Sequence, residues 1–212
     1  MSTVEKVILE GIVRGGAANG MYRSVALNTE GELLVAQGLP PFAEMARRGM
    51  GYQAITTTAA AAVVVRPSTT AQFTLWNGDA TKSYVIDKVF CFNLVSTAAA
   101  AYWSVWGCVH PVGMTKPTGA ITPSSMSGKA GYGGGAVIDP DASVADNGWY
   151  PLSNQGASEP TGVLPSGTMI GDISGRIIIP PTAGFSLQVV ASLVGDTFTT
   201  GCSWYEIYLP NE

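Results

Sequence analysis

The chain has 212 residues, 46% of them apolar and only 12% charged, with a formal net charge of −4. That composition excludes a disordered chain and is too poor in cations to grip nucleic-acid phosphates. A charged share about half the usual value near 25% leaves little polar surface for a subunit that lives alone, so part of the surface is expected to lie against other subunits.

In chain order, the first segment, "MSTVEKVILEG", has no long apolar core and no small-residue cleavage site, so no secretory leader is expected. Lys6–Val13 and Arg23–Gln37 read as short strands. Pro40 and Pro41 precede Phe42–Arg48, a run of helix formers stopped at Gly49, which predicts one short helix. Residues 1–50 are read as an N-terminal arm or linker with that helix in it.

From Tyr52 onward β-prone runs follow closely, punctuated by many of the 26 glycines and 13 prolines. They are Tyr52–Thr58, Ala60–Pro67, Ala71–Gly78 with an Asn-Gly turn signal, Ser83–Ser96 and Ala101–Pro111. A low-charge, loop-rich stretch then occupies residues 113–171, with brief strand candidates at Ala136–Ile138 and Trp149–Tyr150. Three strong runs close the chain: Gly175–Pro181, Gly184–Gly195 and Thr197–Pro210. The longest apolar run, Ala59–Val65, is far shorter than the roughly 18 residues of a membrane span.

Residues two apart share a strand face. On that rule one face of the 84–94 strand carries Tyr84, Ile86, Lys88, Phe90, Phe92 and Leu94, and the other Val85, Asp87, Val89, Cys91 and Asn93. Both faces are apolar, as are both faces of 102–110, so the outside of these strands needs a cover from the long loop or from another subunit. The strand at Phe185, Leu187, Val189 and Ala191 alternates with Ser186, Gln188, Val190 and Ser192, which predicts one wetter face. Eight or more antiparallel strands with irregular loops predict an all-β, antiparallel two-sheet sandwich over residues 51–212, most simply a jelly roll, with an immunoglobulin-like sandwich as the alternative.

The search for chemistry returns little. Cys91, Cys108 and Cys202 are odd in number and widely spaced, which predicts buried free thiols rather than a disulfide frame or a zinc site. His110 is the only histidine, and no GxSxG elbow accompanies it, so a structural role is expected. Glu206 and Asp87 are the carboxylates a glycoside hydrolase would have to pair. Asp139, Asp141, Asp146 and Asn147 fail the calcium-loop spacing at Ser143 and Val144. "GYGGG" (131–135) lacks the lysine and helix start of a phosphate cradle. No catalytic residue, cofactor or metal is predicted.

The succession "VALNTEGELLVAQGLPP", a short helix, "YVIDKVFCFNLVSTA", "YWSVWGCVHPVG", "GWYPL", "GRIIIPPTAGFSLQVVAS" and "CSWYEIYLP" resembles virion structural proteins of tailed bacteriophages, in particular the jelly-roll head-decoration, or cement, class. The resemblance spans about Ser24 to Pro210. It implies a non-enzymatic protein, made in the host cytoplasm and placed on the outer surface of the head. It also implies a homotrimer that clamps neighbouring major capsid subunits, without nucleic-acid or membrane partners. Trp103, Trp106, Tyr205 and Tyr208 are the expected subunit contacts, and Phe42, Met45, Arg47 and Arg48 the expected capsid-contacting residues of the arm. The competing expectation is a receptor- or glycan-binding module of a tail or head fibre, with Trp76, Trp149 and Tyr150 stacking on sugar rings.

Overall fold

The structure is a computed structural model. It describes residues 41–96, 101–119, 121–128, 131–152, 156–158 and 167–208. The chain divides into two units, Met1–Gly38 and Leu39–Glu212, and every described residue belongs to the second. The strands expected at Lys6–Val13 and Arg23–Gln37 lie outside the described residues.

Helix α1 (Pro41–Arg47) begins with a proline, where the missing N–H costs nothing, and ends at Gly49, whose φ of 80° suits glycine. Glu44 in its first turn accepts from Arg47 and Arg48, and those hydrogen bonds hold its carboxyl down at about 2. The strands are β1 (Gly51–Ile55), β2 (Ala60–Ala61), β3 (Thr70–Ala71), β4 (Phe73–Asn77), β5 (Lys82–Val95), β6 (Ala101–His110) and β7 (Ser124–Ser125). They continue with β8 (Ala136–Asp139), β9 (Ala142–Ser143), β10 (Tyr150–Pro151), β11 (Gly156–Ser158), β12 (Thr168–Ile179), β13 (Gly184–Ala191) and β14 (Thr197–Tyr208).

Two antiparallel sheets form the sandwich. The first has the order β12-β5-β14-β1-β7, with β2 also on β14; the second has the order β10-β6-β13-β4-β8, with β11 also on β6. The pairing is nested. Four pairings lie one inside the next: β1 with β14, β4 with β13, β5 with β12, and β6 with β10 and β11. A chain folded double in this way and rolled into two sheets is a jelly roll. Asn77 and Gly78 turn the chain between the sheets rather than within a hairpin. The Asn77 amide is buried there, donating to the carbonyls of Lys82 and Ile179 while its oxygen accepts from Asp79 N–H.

The core lies between the sheets. Phe73, Leu75, Trp103, Val105, Phe185, Leu187 and Val189 of the second sheet meet Tyr84, Ile86, Val89, Cys91, Ile179, Phe198 and Trp204 of the first. Two readings of the strands change here. The register of β5 against β14 skips Asp87, pairing Lys88 with Ser203 and Ile86 with Trp204. That bulge inverts the alternation, so Tyr84 and Ile86 share the core with Val89 and Cys91, while Phe90 and Phe92 face outward. The run 60–67 is also no continuous strand. Ala60–Ala61 pairs with β14 of the first sheet and Val63 bridges to Val190 of the second, so this segment crosses from one sheet to the other.

On the outer face of the first sheet, Phe90 lies across Gly201. A Cβ at Gly201 would overlap the Ala54 carbonyl oxygen and the Phe90 ring. Gly201→Ala is therefore expected to lower stability by about 2 kcal/mol through overpacking, read as a lower denaturant midpoint with an unchanged m value.

Candidate functional site: a histidine relay beneath the long loop

Thr74, Ser186 and Cys108 lie in one row across the outer face of the second sheet, with His110 next to them on β6. In most sandwiches such a face meets water. Here residues 140–149, with Met114, fold over it. Ala142, Val144 and Trp149 from that segment pack with Ala71 and Cys108 into a second buried cluster, joined by half-buried Trp106 and Met114. Trp149 donates its indole N–H to the Ser68 carbonyl (3.0 Å), and β9 pairs with β3. Arg66 grips Asp146 through both carboxylate oxygens at 2.6 and 3.0 Å. The wetter face expected on this strand is dry at Ser186 and Gln188, which are buried, while Val190 is half-buried and Ser192 exposed.

His110 joins sheet to cover. Its Nδ1 donates to Asn147 Oδ1 at 2.9 Å. Its Nε2 then accepts from Ser186 Oγ at 2.8 Å, and Ser186 Oγ accepts from Thr74 Oγ1 at 2.8 Å. The tautomer follows from Asn147 Oδ1 being an acceptor only. Burial pushes the imidazole below its ordinary range, against a smaller upward pull from Asn147. Ser186, His110 and Asn147 thus have the connectivity of a nucleophile, a base and an orienting amide. A groove of about 300 Å³ reaches the His110 and Asn147 side, lined also by Met114 and Val144. Ser186 is fully buried, however, so no substrate carbonyl reaches its oxygen.

A second polar network closes the far end of β14. Glu206 is 1% exposed and accepts from Lys82 Nζ (2.9 Å) and from Tyr132 Oη (3.0 Å). Tyr132 also accepts from Ala136 N–H and stands 3.3 Å from Tyr84 Oη, and burial raises both phenols. This ties the glycine-rich 131–135 stretch to the sandwich. Gly134 lies against Tyr132 Oη and Glu206 Oε1, where a Cβ would collide. Asp87 sits half-buried at the β5 bulge, its carboxyl raised by burial, outside this network.

The expected contact residues scatter. Trp103 is buried in the protomer's own core, 5.0 Å from the Phe198 ring, and has no surface to offer a neighbour. Trp106 is half-buried under the loop and donates to Ser104 Oγ. Tyr205 is half-buried edge-on to Phe42 of α1 (6.1 Å), so Phe42 serves the packing of the helix on the first sheet. Tyr208 is exposed, with Lys82 Nζ 5.7 Å from its ring centre. Met45 is half-buried; Arg47 and Arg48 are exposed and engaged with Glu44. Of the aromatics expected to stack on sugars, Trp149 is buried, Trp76 is half-buried with Lys116 5.9 Å from its ring, and Tyr150 is exposed.

Ser186 and Asn147 were invisible as partners of His110 in the sequence. Asn147 had one signal, its place before Gly148, whose φ of 99° sets a turn. All three cysteines are free and buried, and burial pushes their thiols up. The Asp139 carboxylate accepts from Thr118, Gly119 and Asp141, as a turn residue does. Among the described residues no group of His, Cys, Asp and Glu converges to hold a metal, and no helix is long and apolar enough to cross a membrane. No known family model matches the chain, and no curated protein matches it.

Two expectations follow. His110 binds its proton less readily folded than unfolded, so its contribution to stability is complete above about pH 6.5 and is lost as pH falls below that value. The melting temperature of the wild type should fall between pH 6.5 and 5 more steeply than that of His110→Gln. Lys82→Met, which strands the buried Glu206, should cost about 3 kcal/mol or more in urea unfolding, and Lys82→Met/Glu206→Leu should recover much of that loss.

Proposed function

We propose that the protein is a non-enzymatic structural protein of a tailed-phage particle, which associates with its own copies on the outer surface of the head and clamps neighbouring major capsid subunits. The observation that carries this reading is the outer face of the first sheet. Ile170, Val95 and Ile55 stand 64%, 56% and 43% exposed there, beside half-buried Phe90 and Phe92. Ala142, Val144, Trp149 and Met114 cover the outer face of the second sheet, while these side chains of the first stay exposed. Contiguous apolar surface of that kind marks a contact site. The low charge content and the jelly-roll topology support the same reading.

The buried state of Ser186 and Glu206 supports a role without catalysis, because neither oxygen meets a substrate. The glycan-binding alternative is left with exposed Tyr150 and half-buried Trp76, since Trp149 is buried. The mechanism is mechanical. Apolar burial supplies about 25 cal/mol per Å² before the costs of association, and repetition over a symmetric shell multiplies modest contacts.

Light scattering over a rising concentration series should give a mass above that of one chain. The protein should co-sediment with undecorated shells and raise the temperature at which they open. A single-chain mass throughout, with no co-sedimentation, overturns the reading; selective binding to host-surface glycan would favour the alternative.

A further inference from the structure

Cross-strand register lays out the open face of the first sheet in rows. One row runs Ile170, Phe90, Gly201, Ile55 across β12, β5, β14 and β1. The row beside it runs Asp172, Lys88, Ser203, Gln53. At the β12 end Ile170 protrudes, 64% exposed. At the β1 end a groove of about 420 Å³ opens next to Ile55, lined also by Gln53, Phe90, Ile121, Thr122 and Ser124. A knob therefore stands at one edge of the face and a hole at the other.

We propose that this face is self-complementary and seats the same face of a second copy of this chain, about a two-fold axis that runs along the strands between β5 and β14. The operation exchanges β12 with β1 and β5 with β14. Ile170 of each copy enters the groove beside Ile55 of the other, the reciprocal contact an isologous interface requires. In the neighbouring row Asp172 comes opposite Gln53, whose amide donates, and Lys88 comes over the buried Ser203. No like charges meet. Aligned sheets pack face to face in this manner inside sandwiches.

Four strands spaced about 4.8 Å apart, over six residues rising about 3.4 Å each, present a face of roughly 19 by 20 Å. Two facing copies cover roughly 760 Å² of projected area in total, the size of a weak, concentration-dependent pair. The inference rests on the self-association in the function proposed above, but not on the shell.

The test is a cross-link. Ile55 and Ile170 of one chain stand three strand spacings apart, about 14 Å, too far for an intrachain disulfide. The full-length Ile55→Cys/Ile170→Cys protein should oxidise to a two-chain species on a non-reducing gel, and each single variant should not. Ile170→Lys should weaken association at least tenfold while its melting transition stays that of the wild type. An uncross-linked double variant of an associating protein, association indifferent to Ile170→Lys, a three-chain mass, or a single-chain wild type at 100 μM each overturns the pairing. A wild type that pairs and cross-links as stated but ignores shells leaves the pairing standing and removes the shell function.

Discussion

Everything distinctive in this molecule depends on the cover laid by the chain over the second sheet. A sheet face dressed with Thr74, Ser186, Gln188 and His110 would normally be solvated. Under residues 140–149 and Met114 it is dry, and each polar group there needs a partner to offset its lost hydration. The relay Thr74, Ser186, His110, Asn147 meets that demand for four side chains at once and makes the cover specific. Apolar contacts of Trp149, Val144 and Ala142 supply the area; the histidine supplies the register.

The same logic operates at the other end of the sandwich. Glu206 is a buried carboxylate beside aromatic side chains, and the chain answers it with Lys82 and Tyr132. Both networks join a sheet residue to a loop residue, His110 to Asn147 and Glu206 to Tyr132. Residues 131–149, poor in regular structure, are thereby held in place by a few strong polar contacts and one small apolar cluster. Constellations that resemble chemistry, a serine with a histidine and a carboxylate with a lysine, here join loop to sheet.

The two outer faces are treated in opposite ways. The second sheet is sealed by the protomer itself. The first keeps α1 over its Tyr205 and Gly51 end and leaves the Phe90 and Ile170 rows open. A surface this poor in charge remains soluble most easily when its apolar part is shared with another molecule, so the low charge content, the uncovered rows and the proposed assembly have one physical origin.

Composition and strand pattern by themselves determined the all-β sandwich, the jelly-roll connectivity as the first choice, the helix after Pro40 with its stop at Gly49, and the buried free thiols. These are local properties: turn residues, period-two runs and a proline followed by helix formers act within a few residues of themselves. Tertiary structure alone decided which faces are dry. The bulge at Asp87 reverses the phase of β5, and no local signal separates a bulged strand from a regular one. Tertiary structure also placed Trp103 in the core, split the 60–67 run between two sheets and brought Asn147 to His110 across 37 positions. An alternating strand shows that its faces differ, but the identity of the cover depends on where a distant loop lands, and that is set by the packing of the whole chain.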